Sequence, residues 1–413
     1  MIAPKLRFSE FKDEWIELSL KEYYSKIRNG FVGVATPFYV ENGIKYLQGK
    51  NIKDGKIDSK GLIYISEDFH HKKNNSQLKQ NDILMVQSGH VGECAVVTQD
   101  YENANCHALI ILSPDHNEKV NSHFVVYYFY SHYGKKRISE IKTGNTIEHV
   151  LASEIKEVTL NFPTPKEQTK IAEFLSAVDD KISQLSRQIE LLNQYKKGVM
   201  QKIFSQEIRF NGFNDEWEGR KIGDFITKYV GGASFTPSDF VKKSNFEVIP
   251  KKAITARGLL RLDALNPTFS SEEFYQQNQN YTVDKTYLIT TLRDLVPSGP
   301  NIGYIVSFEN EKKYILAQGV YGFQTKNINR QFLIQYSNTD KFRKIMQSKL
   351  VGSTQVHIRN QDYFDTEILV PSIPEQEKIA EFLTAIDERI DHTTAQLTHT
   401  KQWKKGLLQQ MFV

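Results

Sequence analysis

Only two cysteines, Cys94 and Cys106, occur in 413 residues. That is too few for a disulfide framework or a zinc cluster, and their spacing fits no common metal pattern. Two half-buried thiols in a reducing compartment are the expectation. No window approaches the roughly 18 apolar residues of a membrane span. The start, Met1-Ile2-Ala3-Pro4-Lys5-Leu6-Arg7, carries no apolar signal core, so a cytoplasmic chain without membrane association is expected. The 11 histidines have no ligand spacing, and the adjacent pair His70-His71 reads as part of a polar loop. An excess of charge is lacking as well, with 53 Lys and Arg against 49 Asp and Glu, a net +4. This balance does not by itself imply nucleic-acid binding. It permits binding where cations cluster, as at Lys50, Lys53 and Lys56, at Lys72-Lys73, at Lys135-Lys136-Arg137, and at Lys242-Lys243 and Lys251-Lys252.

Complete catalytic motifs are missing too. Asn266-Pro267-Thr268-Phe269 differs at its third position from the loop with which adenine methyltransferases hold a flipped base. The nearest approach to a companion cofactor turn, Tyr229-Val230-Gly231-Gly232, does not fit it. Gly43 to Lys50 is one residue too long for a phosphate loop, and Asn51 stands where Ser or Thr is needed, so a strand edge and turn is expected there. Glu154-Ile155-Lys156 supplies an acid-x-Lys fragment, but its upstream Pro114-Asp115 is isolated, so no magnesium-dependent nuclease site is expected. These gaps argue against an enzyme and set the catalytic and metal residues at none.

What the chain has is a repeat. Pro163 to Phe204 and Pro371 to Phe412 are identical at roughly 19 of about 42 positions, far above chance. The copies share Glu167-Gln168 with Glu375-Gln376, Lys170 to Leu175 with Lys378 to Leu383, and Lys196-Lys197-Gly198 with Lys404-Lys405-Gly406. A shorter opening recurs as well: Leu6-Arg7-Phe8 with Asp13-Glu14-Trp15 returns as Ile208-Arg209-Phe210 with Asp215-Glu216-Trp217. Between these bookends the halves align only in traces. Tyr46 to Ile52 lies opposite Val248 to Ile254, Gly144-Asn145-Thr146 opposite Gly352-Ser353-Thr354, and His149 opposite His357, the last pair suggesting a shared framework role.

The repeated segments have the period of coiled-coil helices. Ile171, Leu175, Val178, Ile182, Leu185, Ile189, Leu192, Val199 and Ile203 alternate spacings of four and three, with Lys196 in the one gap. Ile379, Leu383, Ile386, Ile390, Leu397, Leu407 and Met411 form the second lattice, weakened by Thr393, Thr400 and Lys404. Thr164-x-x-Glu167 and Ser372-x-x-Glu375 read as capping boxes, with Pro165 and Pro374 in the first turns. At about 1.5 Å per residue, roughly 38 residues make a helix about 55 Å long. An antiparallel second helix would bring the chain back. The intervening halves read as mixed α/β with short strands, including Asp82 to Val86, Ala108 to Leu112, Tyr287 to Thr290 and Gly303 to Val306. Single helices are expected at His123 to Lys135 and Arg330 to Lys349. The 12% of aromatic residues belong mostly to cores.

Taken together, the two Arg-Phe…Glu-Trp openings, the two Glu-Gln…Ile-Ala-Glu-Phe-Leu helices and the closing Lys-Lys-Gly turns resemble the DNA-specificity subunit of type I restriction–modification systems over nearly the whole chain. The resemblance implies an α+β fold: two target-recognition domains, at 1–162 and 206–370, joined by antiparallel coiled-coil spacer helices at 163–205 and 371–413. It implies a non-catalytic subunit in which each domain reads half of an asymmetric bipartite duplex DNA target. The helices would dock two methyltransferase subunits that carry S-adenosylmethionine, and restriction motor–nuclease subunits using ATP and Mg would join them.

Loop-borne polar and basic residues are the candidate DNA readers, since Arg can hold guanine, Asn or Gln adenine, and Lys the phosphates. They are Lys50, Asn51, Lys53, Gln87, Ser88, Gly89 and His90 in the first half, and Lys251, Lys252, Arg257, Thr291 and Arg293 in the second. Gln87 to Gly92 is the preferred loop, because paired glycines let backbone approach DNA closely. Ile171, Leu175, Val178, Ile182, Leu185, Ile189, Ile379, Leu383, Ile386, Ile390 and Leu397 are the candidates for coiled-coil pairing and subunit docking. The competing class is a coiled-coil adaptor whose lateral domains bind proteins; such an adaptor would ignore duplex DNA.

Overall fold

A computed structural model describes residues 2–115, 119–144 and 148–413. The turn expected at Gly144-Asn145-Thr146 therefore lies largely outside the described residues. The chain falls into two compact units, Met1–Ser186 with Ala395–Val413, and Arg187–Thr394. Neither spacer helix is a domain of its own. The first long helix, Pro165–Phe204, and the second, Ile373–Gln410, each give one half to each unit, because their apolar residues are consumed in the unit cores. In both units the start of one helix lies beside the end of the other, so the pair is antiparallel.

Unit 1 contains β1 (Ile16–Ser19), β2 (Lys26–Asn29), β3 (Ile83–Val86), β4 (Cys94–Val96), β5 (Leu109–Ser113) and β6 (Thr159–Phe162). Its main sheet has the order β2-β5-β3-β4 with every neighbour antiparallel, and β1 pairs with β6. Unit 2 repeats this with β7 (Glu218–Lys221), β8 (Ile226–Gly231), β9 (Leu288–Thr291), β10 (Ile305–Val306), β11 (Val320–Thr325) and β12 (Glu367–Val370). The order is β8-β11-β9-β10, with β7 on β12.

The central strands are apolar at successive positions because both sheet faces are covered. Side chains alternate across a strand, so Ile83 and Met85 enter the core beneath the helices, while Leu84 and Val86 enter a second core on the other face. In unit 2, Leu288 and Ile289 divide in the same way. Cys94 and Cys106 sit fully inside these layers, deeper than the half-buried state expected, and burial pushes both thiols above their ordinary value. Gly43 to Lys50 forms an interior strand, Ile44–Leu47, and a one-turn helix, not a sheet edge. His70-His71 lies on the helix Glu67–Lys72 and not in a loop. His70 is buried there, which pushes its imidazole below the ordinary value.

The helices expected at His123 to Lys135 and Arg330 to Lys349 are each split. Unit 1 has Ser122–Tyr130 then His132–Ile141, and unit 2 has Arg330–Ser337 then Asp340–Ser348. Ser131 and Thr339 cause the breaks: each takes an extended backbone, and its side chain accepts the amide three residues on, starting a new helix.

The repeated bookends are tertiary clasps. Arg7 donates from Nε and a terminal nitrogen to both oxygens of Glu167, each at 2.7 Å, and Arg209 does the same to Glu375 at 2.9 and 2.7 Å. Glu167 and Glu375 are buried. The expected capping boxes are therefore corrected: these carboxylates turn to an arginine and not back to Thr164 or Ser372. The hydrogen bond to Glu167 raises Arg7 above its ordinary value. Gln168 and Gln376 each accept a backbone amide, from Asn121 and Asn329, at 2.9 Å. Phe412, at the chain's far end, packs edge-on to Trp15, and Phe204 packs edge-on to Trp217.

The apolar lattice is the inner face of each helix. Ile171, Leu175, Val178 and Leu185 are buried, with Ile182 packed against the unit 1 core. Ile379, Leu383, Ile386 and Ile390 are buried in unit 2, with Ile189 packed on them, and Leu397 is half-buried. The gap at Lys196 is filled by an ion pair to Asp387 at 2.6 Å, and Lys404, expected to weaken the second lattice, pairs with Asp179 at 2.6 Å. A partly buried ion pair occupies the same lattice position in both units.

Candidate nucleic-acid interface

In unit 1 the preferred loop, Gln87 to Gly92, joins β3 to β4. Ser88, Gly89 and His90 are exposed and Gln87 is half-buried. Backbone bonds from Gly89 to Glu148 and from Val150 to Gln87 tie it down. Gly89, at φ +81°, has open space where a side chain would sit, so the peptide can be approached closely. Lys50 and Lys53 are exposed on a neighbouring segment. Asn51 is not: it is fully buried, accepts the Gln48 amide at 3.0 Å and donates to the Asp58 carbonyl at 2.9 Å. Its amide staples a turn, and it is removed from the readers.

In unit 2, Arg293 is exposed and Lys252 exposed beside half-buried Lys251. The structure brings two of them together: side-chain carbons of Arg293 and Lys251 both lie within 3.3 Å of where a Cβ on Gly319 would be. Thr291 is buried, and its single hydroxyl proton is shared between the carbonyls of Gly319 and Arg293, which lie at 2.9 and 3.0 Å. Thr291 shapes the loop instead of reading bases. Arg257 is also redirected. Its guanidinium reaches Asn193 at 3.0 Å and Asp391 at 3.5 Å, one on each long helix. It holds φ +84°, a conformation that costs a non-glycine residue about 1–3 kcal/mol.

The two sites are equivalent by position. Ser88 bridges His149 in unit 1, and Arg293 pairs with His357 in unit 2. His149 also bridges Thr143 and His357 bridges Val351, the framework role that their alignment suggested. The Gly55 backbone, at φ +83°, donates to Tyr130 at 2.8 Å, while Arg257, at φ +84°, donates to Asn338 at 3.1 Å. Extending the alignment of Tyr46–Ile52 with Val248–Ile254 by three residues would have placed Gly55 opposite Arg257; nothing in the sequence indicated where that arginine points.

Asn266-Pro267-Thr268-Phe269 lies in a loop entering a two-residue strand, with the Asn266 amide held by Asp263. Glu154-Ile155-Lys156 is part of the helix Ala152–Glu157, with Ile155 buried and Glu154 capping Leu151. Among the described residues no helix is long and apolar enough to cross a membrane.

A family model described as Type I restriction modification DNA specificity domain matches this chain twice, over residues 12–194 and 214–400. The chain is 22% identical to the Type I restriction enzyme MjaVIII specificity subunit of Methanocaldococcus jannaschii, across 96% of this chain and 91% of that protein. It is 23% identical to the Type I restriction enzyme EcoBI specificity subunit of Escherichia coli, across 50% of this chain and 45% of the relative. The crystal structure of the type I restriction–modification system S subunit from M. genitalium covers 100% of this chain and 99% of its own, with a TM-score of 0.63 at 17% identity.

Proposed function

Because the chain belongs to the type I restriction–modification DNA specificity family, as a non-catalytic subunit with DNA-recognition domains, we propose that each unit reads one half of an asymmetric bipartite duplex target. The observation that supports this most is the placement of unlike residues on matching loops: Ser88, Gly89 and His90 on one frame, Arg293 and Lys251 on the other. One frame with two contents suits two different half-sites. Tethering the two multiplies discrimination, since each good base contact is worth about 1–3 kcal/mol.

Two methyltransferase subunits, bringing S-adenosylmethionine, would dock on the outer faces of the long helices, and motor–nuclease subunits using ATP and Mg would join that core. The inner lattice is already buried, so docking falls to outward residues. Tyr195 and Trp403 are partly exposed aromatics at matching positions of the two helices, the residue types that anchor protein interfaces. A cytoplasmic location accords with this role.

The test is co-expression with a cognate type I methyltransferase subunit and mapping of N6-methyladenine across the host genome. Methylation at one split motif, changed in one half only when residues 21–160 are exchanged, is the expected result. A soluble, co-purifying complex that adds no methylation would overturn the DNA-reading role.

A further inference from the structure

The two units differ most sharply where a recognition domain meets the long helices. In unit 1 a groove of about 350 Å³ runs between them, lined by Asp54, Tyr130, His132 and Lys135 on one side and by Lys401 and Lys405 on the other. Lys401 and Lys405 are one helical turn apart and exposed, so both face the groove together. Tyr130 and Lys135 also line a second hollow, of about 240 Å³, that reaches Val91, Gly92, Lys142 and Glu93, whose carboxylate accepts from the Tyr130 hydroxyl and the Asp54 amide. The two hollows form one furrow. It begins at the helix, passes Lys135 and ends beside the Gln87–His90 loop.

Unit 2 has closed the same place. Arg257 stands where unit 1 has Gly55, and its guanidinium spans the gap to Asn193 and Asp391. Lys197, the counterpart of Lys405, pairs with Asp340 at 3.8 Å. Arg343, the counterpart of Lys135, lies over the Tyr304 ring at 3.8 Å and donates to the Pro300 carbonyl. Unit 2 therefore gives Arg257, Lys197 and Arg343 partners within the unit, whereas unit 1 leaves Lys401 and Lys405 exposed, with Lys135 over the edge of the groove at 6.0 Å from the Tyr130 ring, against two lining carboxylates, Asp54 and Glu93.

We propose that this furrow in unit 1 is a track for the DNA phosphate backbone, holding the duplex through Lys401, Lys405 and Lys135 while the adjoining Gln87–His90 loop meets the bases. This rests on the DNA-reading function proposed above and adds an asymmetry to it: unit 1 supplies phosphate contacts that unit 2 does not. Continuity with the loop and an excess of exposed lysine favour a polyanion over an acidic protein segment.

The experiment uses the full-length chain and a duplex of arbitrary sequence about four helical turns long, with affinity measured across a salt series. Replacing Lys401 and Lys405 by alanine should lower the slope of log affinity against log salt by about 2, equally for all sequences, since each phosphate contact adds about 0.9. Lys197→Ala in unit 2 should leave the slope unchanged. A double variant that keeps its melting temperature and the wild-type slope overturns the proposal. Loss of co-purification with a methyltransferase subunit at unchanged slope overturns it in favour of a protein partner. A wild-type chain with no salt-dependent affinity for duplex DNA would instead bring down the underlying reading.

Discussion

Unit 1 and unit 2 are built alike where they are buried and differently where they are exposed. Arg7 on Glu167 is repeated as Arg209 on Glu375, Gln168 on Asn121 as Gln376 on Asn329, and Lys404 on Asp179 as Lys196 on Asp387. Each is a polar group taken out of water, where losing its partner leaves a desolvation penalty. The loops carry no such constraint: Gly55 can become Arg257, and Ser88 can become Arg293, without disturbing the frame. Buried pairing therefore holds the scaffold fixed while surface chemistry diverges.

Removing one clasp should produce the largest break in the symmetry. Glu167→Ala leaves the Arg7 guanidinium without its carboxylate and should destabilise unit 1 by about 3–5 kcal/mol. Glu375→Ala should do the same to unit 2. Calorimetry should then resolve two transitions, with only the mutated unit melting early; uniform loss in both units would contradict independent clasping.

The ion pairs within the lattice should give a smaller effect. Lys196→Met alone should cost about 1–3 kcal/mol, and adding Asp387→Leu should recover most of it, because an apolar pair of similar volume replaces a partly buried ion pair at little or no cost. A double-mutant cycle by denaturant melting checks this, and additivity would refute it.

At the loops the comparison moves from stability to binding. Arg293→Ala should weaken specific DNA binding by about 1–3 kcal/mol and alter one half of the methylated motif. Arg257→Ala should leave the motif unchanged, because that guanidinium is held by the helices. An altered motif for Arg257→Ala would return it to the readers.

The smallest expected difference is in acid response. His70, His107 and His123, all in unit 1, are pushed below the ordinary value, chiefly by burial. Such histidines take up protons more readily in the unfolded chain, so their stabilising contribution is present above about pH 6.5 and is lost as pH falls below it. In unit 2 the shifted acids are Asp263, Asp284 and Asp365, which lie below the ordinary 3.8 and keep their contribution until pH falls through that lower range. Hydrogen exchange, corrected for its intrinsic pH dependence, should show β3 and β5 loosening before β9 and β11 on acidification.

Much of the scaffold was legible in the chain, because periodicity is a local property. The spacing of Ile171, Leu175, Val178, Ile182 and Leu185 marks one helix face in any environment, and the duplicated openings and seam revealed the tandem architecture. The site was less legible. Asn51 and Thr291 are polar loop residues of the kind that read bases, yet both are buried and bonded to backbone; burial depends on neighbours distant in sequence. Ser131 and Thr339 could have signalled the helix breaks, being capping residues placed in mid-pattern.

The sequence by itself determined the repeat, the two long helices with their inner lattice, and the pairing of like frames with unlike contents, since each depends on residue spacing along one chain. Only the tertiary structure decided that Glu167 answers Arg7, that each helix is shared between units, and that Arg257 closes in unit 2 the furrow that Gly55 leaves open in unit 1. These depend on which groups meet across long stretches of chain, where a buried charge must find a partner and an exposed one need not.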